Sequence, residues 1–225
     1  MVASEWEKVY SSGRHLNLWP WSDLVSLYFR HLNLLSLKDT SPKVFELGSG
    51  VGNNYPFWRS IGAEYFGIEL SASAVEICLE LYPELQDRLQ RGDFKSYEST
   101  SEDFDVICDR ASVTHCNETE VRDAIFRSLG SLKKGGLYLG IDWFSKNHTD
   151  FNLPAIQIDS NTRSNFMTGQ FMGLGQVHFA DRAEMLDIFK DFQIIELTEK
   201  IVTRRFPDEN VNQFASWNIV ARKPL

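Results

Sequence analysis

Three glycines at every second position, Gly48, Gly50 and Gly52, follow the short run Val44-Phe45-Glu46-Leu47. Glycine has no Cβ, so its backbone takes φ > 0 and lets a ligand come close. A strand that runs into such a turn and then a helix forms a nucleotide-binding loop in α/β proteins. The spacing narrows the nucleotide. A dinucleotide fingerprint needs Gly-x-Gly-x-x-Gly; Gly48 and Gly50 fit it, but Asn53 stands where the third glycine belongs. No lysine follows, so the loop is not a P-loop. An acid inside a buried strand, as Glu46 would be, is costly unless partnered. Glu69 closes Tyr65-Phe66-Gly67-Ile68-Glu69 about 20 residues after the loop, where an acid accepts from both ribose hydroxyls. Asp93, in Arg91-Gly92-Asp93-Phe94, follows a short run at 88–91, and Asp109, in Asp109-Arg110-Ala111-Ser112, closes an apolar run. His115 is the first candidate base, because a hydroxyl nucleophile must lose a proton and imidazole titrates near neutrality. His148 and His178 stand behind it, since they flank a long loop whose position the sequence does not give.

The elements that must position these groups alternate. Lys43–Leu47, Tyr65–Glu69, Arg88–Arg91, Phe104–Asp109 and Leu137–Trp143 read as strands, the fourth nearly all apolar as a central parallel strand should be. Helices are expected over 54–61, ending at Gly62, and from the N-cap Ser71 through Leu81, stopped by Pro83. A third begins at the capping box Asn117–Glu120 and runs to about Leu132, and Gly135-Gly136 turns the chain into the fifth strand. Asp181 opens a helix to about Phe189. Phe192–Glu199 and Phe214–Arg222 then read as two strands with no helix between them. Strands alternating with helices of this length predict a doubly wound parallel sheet, closed by an antiparallel pair.

Trp21, Leu24, Val25, Tyr28, Leu32 and Leu35 recur at helical spacing and predict an amphipathic helix on one sheet face. Before it, Trp6, Tyr10, Arg14, His15, Trp19 and Pro20 are too aromatic for a loose tail: residues 1–40 form either a lid over the site or a packed arm. Residues 145–180 interrupt the alternation, and long insertions of this kind are functional or disordered; the aromatic and Met content argues for function.

The string Glu46-x-Gly48-x-Gly50-x-Gly52 resembles motif I of the class I S-adenosylmethionine-dependent methyltransferases, and the terminal strand pair is an independent second likeness. The resemblance covers residues 43 to 225. It implies an α/β, Rossmann-like seven-stranded sheet of order 3-2-1-4-5-7-6 with the last strand antiparallel, and S-adenosyl-L-methionine as cofactor. It implies that Glu46 faces the ammonium end and that Gly48, Ser49, Gly50, Gly52 and Asn53 form the loop beneath it. Glu69 would hold the ribose, Leu70 and Phe94 the adenine, and Asp93 its amine. Asp109 and Arg110 would line the methyl-transfer site, although Arg110 could instead pair with Asp109 or Asp142. Specificity in this family lies in the N-terminal segment and in insertions, where Arg163 is either an anion reader or a surface residue. Some relatives hold a divalent cation with acids at the ends of strands 4 and 5. Asp109 and Asp142 occupy comparable places, but no third ligand is evident and no metal is expected. An Asn-Pro-Pro-Tyr motif, which marks many amino-group methylases of nucleic acids and proteins, is absent.

The remaining bounds are global. A chain of 225 residues with 43% apolar side chains predicts one domain. The net charge of −8, with no basic stripe, argues against nucleic acid. No apolar run approaches the roughly 20 residues of a membrane span, and no signal peptide is evident. Cys78, Cys108 and Cys116, an odd number, suggest a reducing, cytoplasmic compartment. Cys78 and Cys108 read as core residues, and Cys116 lies in a loop. The expectation is a monomer or homodimer that methylates a small polar acceptor, preferentially an oxygen of a metabolite, natural product or surface-glycan precursor. The rivals are a non-catalytic cofactor-binding subunit and an NAD-dependent oxidoreductase.

Overall fold

The computed structural model describes residues 2–14, 16–35, 41–97, 103–205 and 212–225; His15 lies outside them. Two helices, α1 (Val2–Ser11) and α2 (Ser22–His31), precede the first strand. The alternating part follows as β1 (Lys43–Leu47), α3 (Tyr55–Ser60), β2 (Glu64–Glu69), α4 (Ala72–Leu81), β3 (Leu89–Arg91), β4 (Phe104–Arg110), α5 (Glu118–Ser131) and β5 (Leu132–Phe144). Three short strands, β6 (Ile156–Gln157), β7 (Thr162–Ser164) and β8 (Gln176–His178), lead to α6 (Arg182–Ile188), β9 (Gln193–Arg204) and β10 (Asn212–Arg222).

Seven strands form one sheet in the order β3-β2-β1-β4-β5-β10-β9. With the three short strands set aside, that is the expected 3-2-1-4-5-7-6. β1 to β5 run parallel, and β10 is antiparallel to both β5 and β9. Alternate side chains of the central strands go to opposite faces, as the pleat requires. Val44, Val106, Cys108, Leu137 and Leu139 pack with α2, α3 and α4. Phe45, Ile107 and Tyr138 pack with α5 and α6.

The helix starts are set locally. Ser71 Oγ accepts from Ala74 N–H, Asn117 and Glu120 make the reciprocal capping box, and Asp181 Oδ1 accepts from Glu184 N–H. The fifth strand departs from expectation, starting at Leu132 directly behind α5 rather than after the glycine pair; its pairing to β4 is irregular there, and Gly135 takes φ 76°.

The insertion forms a three-stranded antiparallel sheet, β6-β7-β8. Together with α1 it makes a third apolar cluster, in which Val9 and Trp6 join Ala111, Phe144, Phe171 and Leu174. This cluster covers the carboxyl ends of the central strands, where open α/β sheets bind ligands.

Candidate active site

The carboxyl ends of the parallel strands open on a cavity of about 620 Å3, a size that suits a small organic ligand. Glu46 from β1, Gly48, Gly50 and Asn53 from the loop, and Glu69 and Leu70 after β2 line it. So do Asp93 and Phe94 after β3 and Arg110 and His115 after β4. Ten of the candidates marked in the sequence thus meet at one place.

The three glycines all have positive φ, at 64°, 56° and 78°, but for different reasons. A Cβ on Gly48 would strike Ser112, and one on Gly50 would come within 2.8 Å of the Tyr10 hydroxyl. A Cβ on Gly52 would lie 2.5 Å from Cys78 Sγ. Gly52 therefore serves the packing of the loop on α4. It does not line the cavity, and neither does Ser49, which is buried behind the loop. Both sit beneath the loop and support it from behind.

Glu46 is buried, and its two oxygens are both taken: Asn54 Nδ2 donates to Oε1 at 2.7 Å and the Tyr65 hydroxyl to Oε2 at 2.8 Å. Burial nevertheless dominates and pushes its carboxyl up to about 7. Asn54 has a second task, since its Oδ1 accepts from Trp21 N–H at 3.1 Å. Glu69 accepts from Gly50 N–H at 2.9 Å with Oε2 and from Ser71 N–H at 2.8 Å with Oε1. Each oxygen keeps a lone pair for a ligand. Burial pushes this carboxyl up as well, against the backbone donors. Asp93 accepts from Lys95 N–H at 2.9 Å, and Lys95 Nζ lies 2.9 Å from Glu120 and 3.5 Å from Asp93.

Asp109 does not line the cavity either. It is 1% exposed and turned back into the sheet, away from the cavity. Its Oδ1 accepts from the Tyr138 hydroxyl at 2.7 Å and Trp143 Nε1 at 2.9 Å, and its Oδ2 accepts from the backbone of Ser112 and Val113. Asp109 thus shapes the 111–113 turn, at whose start Ala111 takes φ 53°. Arg110, the next residue, points the other way. It pairs with Asp142, Nη2 lying 3.1 Å from Oδ2, and its guanidinium stacks 3.6 Å from the centre of the Trp21 ring. The two alternatives for Arg110, pocket residue and partner of Asp142, are both realised.

His115 is 7% exposed. Its Nδ1 lies 3.1 Å from the Gln176 carbonyl, which can only accept, so the proton is on Nδ1 and the basic lone pair on Nε2. Trp6 meets the ring edge-on, 4.8 Å between centres. His148 and His178 are placed elsewhere. His148 accepts from Asp150 N–H among Phe171 and Phe214, and burial holds its pKa down. His178 lies 3.2 Å from Glu184. Arg163 also stays outside the cavity, donating to the carbonyls of Asp159, Ser160 and Thr162 above the Phe151 ring. Cys78 and Cys108 are core residues, whereas Cys116 lines the cavity.

The roof comes from residues the motifs do not mark. α1 contributes Trp6 and Tyr10, and the segment after it Asn17 and Trp21. The insertion adds Gln170, Phe171, Leu174 and Gln176, and β10 adds Phe214. α1 is held at the start of α4, where Glu7 accepts from Ser71 Oγ at 2.8 Å; Glu5 lies against Gly175 of the insertion. Burial, with Glu69 nearby, pushes the Tyr10 phenol well up, so it stays a neutral donor. The aromatic density of residues 6–21 was the available signal for this roof; Phe214 carried none.

The arrangement is that of a class I S-adenosylmethionine-dependent methyltransferase fold. Residues 44–136 match the family model of the methyltransferase domain. No curated protein matches the chain by sequence. Among solved structures, a SAM-dependent methyltransferase from Methanosarcina mazei superimposes with a TM-score of 0.69 at 16% identity, over 92% of this chain and 99% of that one. A second, from Clostridium acetobutylicum, gives 0.61 at 11% identity over 90% of each chain. The 1,6-didemethyltoxoflavin-N1-methyltransferase of Burkholderia thailandensis, solved with 1,6-didemethyltoxoflavin and S-adenosylhomocysteine, gives 0.62 at 14% identity over 100% of this chain and 88% of that one. At these identities the likeness is one of fold. Family and fold imply S-adenosylmethionine as cofactor, and the residues present fit it: a carboxylate with open lone pairs at the β2 end, a close-approach glycine at Gly50, and a flat apolar seat at Leu70 and Phe94.

Proposed function

We propose that the protein transfers a methyl group from S-adenosylmethionine to a small polar acceptor, preferentially an oxygen of a metabolite, natural product or surface-glycan precursor. One observation carries the reading: residues from the ends of three successive strands, Glu46, Glu69 and Asp93, line the same cavity as the glycine loop. In this reading Glu69 accepts from the ribose hydroxyls, Asp93 from the adenine amine, and Glu46 faces the ammonium through the Asn54 relay. Bound S-adenosylmethionine supplies an electrophilic methyl on a positively charged sulfur. The protein's part is to hold an acceptor in line with it, under the roof of α1 and the insertion, and to keep water out. His115 Nε2 takes the proton that the acceptor hydroxyl gives up as its oxygen bonds to carbon.

Thermal unfolding with S-adenosylhomocysteine, with NAD as control, tests the cofactor. At 100 times its dissociation constant a ligand stabilises by about 2.7 kcal/mol, a rise of roughly 5–10 °C for a domain of this size. The rise is expected with the first ligand and lost in Glu69→Ala. No rise, or a rise with NAD alone, would overturn the reading. Transfer of a labelled methyl to metabolites of a cell extract then separates an enzyme from a binding subunit.

A further inference from the structure

The acceptor half of the cavity holds an arginine whose working edge is open. Arg110 has five N–H groups. Nε, at 3.2 Å, and Nη2, at 3.1 Å, both approach the same oxygen of Asp142, Oδ2. This uses the side edge of the guanidinium. The end-on fork, made of Nη1 and the second hydrogen of Nη2, takes no partner among the described residues, and the side chain remains 27% exposed in the cavity wall. The plane cannot swing away. Trp21 covers one face at 3.6 Å, and Trp21 is itself tied by its N–H to Asn54. Asp142 is held in turn: its backbone N–H donates to Asn218 Oδ1 at 3.0 Å, and its Oδ1 accepts from Ser216 Oγ at 2.9 Å and lies 2.6 Å from Lys200 Nζ. It adopts φ 55°, an unfavourable backbone for a non-glycine residue. Strain is thus accepted to fix this carboxylate behind the guanidinium.

The other cation in the wall differs. Lys95 is engaged by both Glu120 and Asp93, at the end expected to hold adenine. Arg110 shares Asp142 with Lys200, which also pairs with Asp23. These four charges balance, and the guanidinium is the member that reaches the cavity. A held planar fork with two parallel N–H groups matches one carboxylate. A dianionic phosphate would call for more donors than this one fork offers. Beyond it the wall is aromatic: His115, Phe144 and Phe171 meet in sequence, with centres 5.9 and 4.6 Å apart, and Trp6 adjoins His115.

We propose that Arg110 is a specificity-determining residue, and that the acceptor is a small monocarboxylic acid with a flat, apolar body. The carboxylate docks on the Arg110 fork, and the body lies against Trp6 and Phe144. The methylated oxygen is a different group of the same molecule. This deepens the methyl-transfer reading and rests on it. It also moves the anion-reading role from Arg163, which lies outside the cavity with its Nη1 donating to carbonyls, to the arginine in the cavity.

Matched acid and amide probes test the proposal: benzoate with benzamide, 4-hydroxybenzoate with 4-hydroxybenzamide, and indole-3-acetate with indole-3-acetamide. Binding is read by quenching of tryptophan fluorescence, to which Trp6 and Trp21 contribute, with S-adenosylhomocysteine present and absent. In at least one pair the acid is expected to bind ten-fold or more tightly than its amide. Arg110→Gln should abolish that preference while the thermal shift with S-adenosylhomocysteine persists. Arg110→Lys, which keeps a charge on Asp142, should retain a reduced preference and guards against misfolding of the first variant. Equal binding of acid and amide in every pair, failure of every acid to bind, or a preference that survives Arg110→Gln would overturn the proposal. Tighter binding of phenyl phosphate than of benzoate would overturn it in favour of a phosphate reader. Loss of the S-adenosylhomocysteine shift in the wild type would instead sink the cofactor reading, and the acid preference of the free protein would still be judged.

Discussion

Replacing Glu46 by glutamine should stabilise the protein at alkaline pH and do little for it in acid. The carboxyl is fully buried, and its folded pKa is raised from 4.5 to about 7. Raised means that the folded state prefers the protonated form. The stability tied to this group is therefore complete below pH 4.5 and is lost as the pH rises through 7. At about 1.4 kcal/mol per pH unit, ionised Glu46 costs the folded wild type about 3 kcal/mol at pH 8 and less than about 1 kcal/mol at pH 5. Glutamine has the same shape and no charge. Its carbonyl can accept from Tyr65, but its amine faces the Asn54 amine, whose Oδ1 is engaged by Trp21. That mismatch costs about 1 kcal/mol at every pH. The assay is the melting temperature of both proteins between pH 5 and 8 without ligand. The Glu46→Gln advantage should grow by about 2–3 kcal/mol over the range, roughly 5–10 °C. Since all other groups are common to both proteins, their titrations largely cancel. An advantage that stays flat to within 1 °C, or shrinks with rising pH, would show that the Asn54 and Tyr65 bonds outweigh burial, and would refute the reasoning.

Three shorter expectations follow. His115→Gln should lower kcat by roughly 10²–10⁴, with S-adenosylhomocysteine affinity by calorimetry within two-fold of wild type; an unchanged kcat would leave in-line positioning without a base. Gly50→Ala must place a side chain at φ 56° and 2.8 Å from the Tyr10 hydroxyl, so its dissociation constant for S-adenosylhomocysteine should rise ten-fold or more. Wild-type affinity in that variant would mean that neither the loop nor Tyr10 bears on the cofactor. Ser71→Ala removes the cap of α4 and one of the two serine hydroxyls that hold Glu7, Ser73 being the other, which should cost about 1 kcal/mol, read as a lower melting temperature and faster proteolysis within α1. If the melting temperature falls while α1 resists protease as before, the Ser71 hydroxyl is not what holds the roof.

What was legible in the sequence is what short-range chemistry decides. β1 is found at Lys43–Leu47 as expected, because an apolar run ending at a glycine turn has few other solutions. The caps at Ser71, Asn117 and Asp181 are likewise local hydrogen bonds between a side chain and a backbone three residues on. The failures at the site involve partners distant in the chain. Trp21 reads as the first member of the α2 core stripe, yet the helix begins at Ser22, and Asn54 draws the Trp21 N–H over the site. Asp109 and Arg110 are indistinguishable in sequence as strand-end charges. Which one faces the ligand is decided by Tyr138 and Trp143 on β5, which capture Asp109, and by Asp142 and Trp21, which capture Arg110. β6, β7 and β8 are too short for any period to show, and the insertion therefore reads only as a loop.

The two halves of the cavity have different structural origins, and this bears on how the acceptor is chosen. The half proposed to hold the cofactor rests on residues 46–94, placed by three adjacent parallel strands whose registers fix one another. The acceptor half is assembled from α1, the ends of β4 and β5, the insertion and β10, with Phe144 touching Phe171, Phe179 and Phe214. Changes there alter shape and charge without disturbing the strand-end residues 46–94. α1 belongs to both halves: Tyr10 stands over Gly50, while Trp6, four residues earlier and so on the same helical face, packs on His115. A ligand that orders either contact orders the other. Cofactor and acceptor should therefore bind with positive cooperativity in the full-length chain, by the linkage that joins two sites sharing one ordered element. Removing residues 1–11 should abolish that cooperativity and leave only the affinity of the strand-end residues for the cofactor.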